Sequence, residues 1–152
     1  MTTIHLKTII NSSIKKVFDL SRNIDFHVYT ASKTKEQAIE GTISGLIGLD
    51  ETVTWRGKHF GLYLTHRSKI TSFDSPNRFT DEMIQGHFKY FKHEHIFHRT
   101  SKGTEMIDIL RYETPYGIFG KAFNHVFLKK YLTHFLISRN QFIKSHLEMC
   151  RP

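Results

Sequence analysis

The chain has 152 residues, 39% hydrophobic and 13% aromatic, with 13 Phe against one Trp; one domain of this length buries roughly 70% of its unfolded surface and needs neither metal nor disulfide to hold its core. Lys and Arg number 22 against 14 Asp and Glu, a net charge of +8 that admits nucleic acid, an acidic partner or an anionic surface. The one Cys, Cys150, excludes an internal disulfide and a cysteine-type zinc site, and nothing resembles a secretion leader or a run of about 18 apolar residues, so the expectation is a cytoplasmic protein, one domain over 1–152, with no transmembrane segment.

Residues 2 to 10 alternate, with Ile4, Leu6 and Ile10 on one face and Thr3, His5 and Lys7 on the other, as in a half-buried strand. A short helix follows, capped by Asn11 or Ser12, with Ile14, Val17 and Phe18 on one face and an end near Arg22. Residues 23 to 34 read as a second short helix or an irregular connection. From about residue 35 to 114 the pattern is that of strands separated by turn residues. Gly41, Gly45 and Gly48 mark a flexible stretch; strands are expected over 51–56, 59–72, 79–84, 89–99 and 104–114, with turns at Asp74–Asn77, Gly86 and Ser101–Gly103. Neither Pro nor Gly interrupts the chain between Gly120 and Pro152, which predicts a helix of about 30 residues, some 45 Å long. At 100° per residue, Phe127, Leu128, Tyr131, Leu132, Phe135, Leu136, Phe142 and Ile143 fall on its buried side, and Lys129, Lys130, Thr133, Asn140 and Lys144 on its wet side. The expected fold is α+β, a curved antiparallel sheet wrapped around a long C-terminal helix.

Strand parity places polar groups among apolar inward neighbours. Phe91, His93, His95 and Phe97 share one face; so do Thr104, Met106, Asp108, Leu110 and Tyr112, and, in a third strand, Phe79, Asp81 and Met83. A tight turn at Ser101–Gly103 sets His95 opposite Asp108 or one diagonal step away, and the same counting around Gly86 lets Asp81 approach His93. Three roles suit such a set: a hydrogen-bonded polar cluster in the core, the polar patch of a ligand cavity, or a catalytic or metal site. Two histidines with an unplaced carboxylate are an incomplete metal signature, and no cofactor motif is present, so no cofactor is expected. Arg139 falls within the apolar arc of the last helix, where it must either reach solvent or pair with an inward carboxylate or a ligand acid. Residues 121 to 152 hold six Lys or Arg against one acid, Glu148, so much of the charge lies on one helix. Lys129, Lys130 and Lys144 form a solvated stripe there, and no recognition helix or aromatic platform accompanies it, so no nucleic acid is expected.

The chain resembles the SRPBCC superfamily, the START-like or helix-grip fold that includes birch-pollen-allergen-like proteins, and within it bacterial ligand-binding members without an assigned ligand. The resemblance rests on Ser44–Ile47 with Val53–Trp55, Ile70–Phe79 with Asp74 and Pro76, Gly86–Phe97, Thr104–Asp108, Tyr112-x-x-Pro115-x-Gly117, and Arg139. It implies a cavity between sheet and terminal helix for a hydrophobic or amphipathic molecule. Its walls would come from Trp55, Leu62, Leu64, Phe79, Met83, Phe91, Phe97, Met106, Leu110, Phe127, Tyr131 and Phe135. His66, Asp81, His93, His95, Asp108, Tyr112 and Arg139 would orient the ligand. Relatives of this kind include lipid carriers, hormone receptors, polyketide cyclases and dehydratases, and oxygenase domains, so the resemblance admits both a carrier and an acid–base enzyme.

Overall fold

The computed structural model describes residues 1 to 150; Arg151 and Pro152, the end of the expected 1–152 span, lie outside the described residues. In chain order come β1 (Thr2–Ile10), α1 (Ile14–Ser21), α2 (Ile24–Thr30), a 3-10 turn (Ser32–Thr34), and strands β2 (Gln37–Gly41), β3 (Thr52–His59), β4 (Leu62–Asp74), β5 (Arg78–Gln85), β6 (Tyr90–Thr100) and β7 (Gly103–Glu113). Then follow α3 (Gly117–Phe123), a π-helical turn (Asn124–Leu128) and α4 (Lys129–Met149). The sheet runs β1-β7-β6-β5-β4-β3-β2, every pair antiparallel. Register shifts insert unpaired residues in β2, β4 and β5, at Ile39, Thr71 and Ile84, which bend a sheet and let it curl. This is the α+β curved sheet with a long terminal helix that the sequence pattern predicts.

Asn23 caps α2, its side chain accepting from Phe26 N at 2.9 Å, so the segment after α1 is helical. Ile14, Val17 and Phe18 turn inward from α1, where the Phe18 ring meets Phe73, Phe79 and Phe97 edge-on at 5.4–5.5 Å. A second apolar cluster joins Ile4, Leu110, Tyr112, Leu128 and Leu136.

Ser13, rather than Asn11 or Ser12, caps α1, its hydroxyl accepting from Lys16 N, because the helix starts at Ile14; three further details differ from the pattern-based expectation. First, β3 and β4 are joined by a two-residue turn at Phe60–Gly61, both with positive φ, so the strand expected to begin at His59 begins at Leu62. A tight hairpin of this kind needs left-handed backbone at both central positions, and Gly61 adopts it without a side-chain clash. Leu62 therefore stands at the hairpin tip, 65% exposed. Second, the terminal helix is not uniform. The π turn slips the helical register ahead of α4, and Phe127 and Phe142, both expected on the buried arc, are 59% and 36% exposed. Third, Asn140, expected on the wet side, is 1% exposed, because β1 covers that edge of α4 and Thr8 Oγ1 lies 3.4 Å from its amide nitrogen. Among the described residues no helix is long and apolar enough to cross a membrane.

Candidate functional site

A cavity of about 250 Å³ opens between the concave face of the sheet and α4. Its walls draw on both apolar clusters, with Ile24, Ile47, Val53, Ile70 and Phe79 from one and Leu110, Leu128 and Leu136 from the other. Two polar clusters interrupt this apolar lining.

The first stands on β5, β6 and β7. Asp81 is paired in register with His93, and His95 with Asp108, yet each histidine bonds the diagonal carboxylate. His93 Nε2 lies 2.9 Å from Asp108 Oδ1, and His95 Nε2 lies 2.9 Å from Asp81 Oδ2. Sheet twist brings one diagonal neighbour closer than the other, so residues two apart can exchange partners across a pair of strands. Asp108 is fully buried and accepts further bonds from Arg139 at 3.4 Å and from Asn140 at 2.7 Å. Arg139 also donates to the Ser21 carbonyl, at 3.0 Å, which ties α4 to α1.

Burial alone would raise both carboxyl pKa values, but the histidine bonds outweigh it, so Asp81 is held below the usual carboxylate range and Asp108 well below it. Both are therefore carboxylates, and the facing imidazole nitrogens carry the protons. The two histidines then diverge. Burial and the neighbouring His95 push His93 down; for His95, burial is outweighed by the two carboxylates it faces, Asp108 Oδ1 lying 3.2 Å from its Nδ1 and Asp81 bonding its Nε2, so its pKa is pushed up. The two carboxylates beside His95 favour its charged form, whereas His93 is favoured in its neutral form, with Nδ1 as its remaining polar atom. Asp81, His93 and His95 offer ligand atoms within 4.8 Å of one another, a set able to meet a divalent cation. In the arrangement observed, both Nε2 atoms face carboxylates.

The second cluster has no counterpart among the sequence candidates. His27 on α2 donates from Nε2 to Glu36 Oε1 at 2.7 Å; His59 Nε2 lies 3.7 Å from Glu36 Oε2, and His59 Nδ1 lies 2.6 Å from the Tyr131 hydroxyl. Burial opposes ionisation of Glu36, but His27 and His59 more than offset it and hold the carboxyl at about 2. Gly57 makes room for this contact, since a Cβ there would sit 3.2 Å from Glu36 Oε2. Trp55 packs on His27, ring centres 4.1 Å apart. His66 lies within the field of both clusters: burial lowers its pKa, while Asp81 and Glu36 raise it.

Of the sequence candidates, Trp55, Leu64, His66, Phe79, Asp81, Phe91, His93, His95, Leu110, Tyr131, Phe135 and Arg139 line the cavity. Asp108 stands behind the histidines. Phe97 and Met106 fill the core under α1, and Met83 packs beneath Gly86 beside His66. Tyr112 is buried and donates to Asn124 Oδ1 at 2.6 Å, anchoring the π turn; burial drives its pKa up to about 12. Leu62 and Phe127 face solvent. His27, Glu36, His59 and Asn140 were not legible because they lie on a short helix, an irregular segment, a strand end and a helix edge, where no period marks an inward side chain.

No protein-family model and no curated protein matches the sequence. Solved structures do match over nearly the whole chain. TTHA0849 of Thermus thermophilus superposes with a TM-score of 0.80 at 14% identity, covering 99% of this chain and all of that one. Major latex-like protein 151 of Panax ginseng gives 0.69 at 18% identity, covering 96% and 97%, and Ara h 8.0201 gives 0.66 at 12%, covering 95% and 98%. The chain has the START-like helix-grip fold seen in these structures. In helix-grip terms α4 is the gripped helix, and the two polar clusters lie where the sheet curls around it.

Proposed function

We propose that the protein is a cytoplasmic carrier of a hydrophobic or amphipathic small molecule of lipid-like, aromatic or polyketide-like character, held between the sheet and α4. The observation that carries this reading is the apolar cavity of about 250 Å³ into which His93, His95, Asp81, His66, Glu36 and His59 converge. Apolar walls supply affinity, and a few fixed polar groups set orientation. Native mass spectrometry of gently purified protein is expected to find a co-purifying small molecule, and an apolar fluorescent probe is expected to compete for its place. Absence of such a molecule, together with probe binding indifferent to Phe135→Ala, would overturn the reading.

A second reading, an acid–base enzyme of cyclase or dehydratase type, is favoured by one feature. His93 is neutral, borders the cavity and is backed by Asp108, the arrangement of a general base with an orienting carboxylate. Its test is turnover of the molecule found by mass spectrometry. Unchanged turnover in His93→Ala and His95→Ala removes this reading and leaves the carrier. Nucleic acid is a poorer partner, since Lys144 is engaged with the Ile9 carbonyl and Glu148.

A further inference from the structure

The face of α3 and its π turn directed away from the fold is aromatic. Gly120, Asn124 and Leu128, four residues apart, turn toward the body, where Asn124 bonds Tyr112 and Thr2. On the other side Ile118, Phe119, Phe123, Val126 and Phe127 are exposed, Phe119 to 81%. Ordinary surfaces scatter such residues singly, so a contiguous set marks an interaction site. The β3–β4 hairpin tip extends it: Phe60 and Leu62 are exposed, and the Phe60 ring lies 5.4 Å from Phe123 and 4.7 Å from Tyr131. Phe60 and Tyr131 also line the cavity, so the patch runs without a break into the cavity rim.

Charge selects the partner. Lys121 on α3, Lys58 near the end of β3 and Lys129 and Lys130 at the start of α4 are exposed beside the patch, and no Asp or Glu occurs between Glu113 and Glu148. A second copy would bring like charges together. The apolar side chains offer no hydrogen bonds to a polar protein surface, whereas Phe, Ile and Val beside Lys match an interface of acyl chains under anionic headgroups. Tyr116, exposed at the start of α3, places an amphipathic ring at the same level.

We propose that α3, the π turn and the β3–β4 hairpin tip form a docking surface for an anionic lipid bilayer at the rim of the cavity. Docking is measured without any cavity ligand, so it stands or falls apart from the carrier reading. The full chain is sedimented with vesicles of phosphatidylcholine mixed with a minority of phosphatidylglycerol, and with phosphatidylcholine alone, at low and high salt. Binding is expected to the mixed vesicles, weakened by salt. Phe119→Ser with Phe127→Ser is expected to lower affinity at least about tenfold, and Lys121→Gln, Lys129→Gln and Lys130→Gln about fivefold each. All these side chains are exposed, so thermal unfolding should stay unchanged and separate lost docking from lost fold. The indole fluorescence introduced by Phe119→Trp should be quenched by brominated lipid. No sedimentation at low salt, variants that bind as wild type, or bound Phe119→Trp protein whose added fluorescence is unquenched would each overturn the proposal. So would a wild-type dimer that the Phe variants dissolve without any vesicle binding, which would assign the face to a second copy of the chain.

Discussion

The two polar clusters of the cavity use the same chemistry on different supports. Asp81, His93, His95 and Asp108 stand on three neighbouring strands, and their central carboxylate is withdrawn behind the histidines, where Arg139 and Asn140 also bind it. His27, Glu36, His59 and Tyr131 come from α2, the segment before β2, the end of β3 and α4, and their carboxylate is itself part of the cavity wall. The difference separates framework from contact. A carboxylate with several donors and no exposure holds other groups in place, whereas one at the wall remains available to a bound molecule.

The largest test of that contrast is Asp108→Asn. It leaves the Arg139 guanidinium without its anion in a buried site and should cost about 3–5 kcal/mol in urea unfolding. Glu36→Gln removes charged hydrogen bonds at a more open site and should cost about 1.5–3 kcal/mol. Equal losses would erase the distinction. Acid unfolding sharpens it further. The Glu36 carboxyl is held at about 2 against an ordinary 4.5, so the stability it contributes is complete above 4.5 and is lost as pH falls toward about 2. The gap between wild type and Glu36→Gln should therefore close over that window, and a gap that stays constant would contradict the assigned ionisation.

Histidine titration followed by NMR addresses the strand-borne cluster alone. His95 should titrate above 6.5 and His93 below it, so stability owed to His95 is present below 6.5 and lost as pH rises through its raised pKa. Buried neutral His93 resists protonation, and its contribution falls away as pH drops below 6.5. Asp108→Asn should lower His95; a His95 that does not move would show that Asp81 alone sets its charge. The smallest effect belongs to the outward face of the terminal helix, where Phe127→Ala should change stability by less than about 0.5 kcal/mol while Leu136→Ala costs about 2–5 kcal/mol.

The strand-borne cluster was legible because side chains on a strand alternate strictly and hairpin turns constrain register, so counting from Ser101–Gly103 brings His95 opposite Asp108 or one diagonal step away, and the first pairing is the one observed. Counting did not reveal the diagonal exchange of partners, which arises from twist. Arg139 stood out because a guanidinium on an apolar arc needs a partner; that the partner is Asp108 follows only from how α4 crosses the sheet. Glu36 carried no signal, being an acid beside a strand like any surface acid, and its burial depends on α2 and Gly57 closing around it.

Periodicity, turn residues and the uninterrupted helical stretch after Gly120 thus determined most of the strands, their order and the polar groups facing inward, and narrowed the β6–β7 register to two neighbouring pairings, because these are local or nearest-strand properties. Tertiary structure alone decided that the curled sheet leaves a cavity, that a second histidine–carboxylate cluster closes one side of it, and that the π turn directs Phe127 and its neighbours outward. Each of these depends on the packing of segments distant in sequence, or on a single-residue slip of helical register that a fixed 100° count passes over.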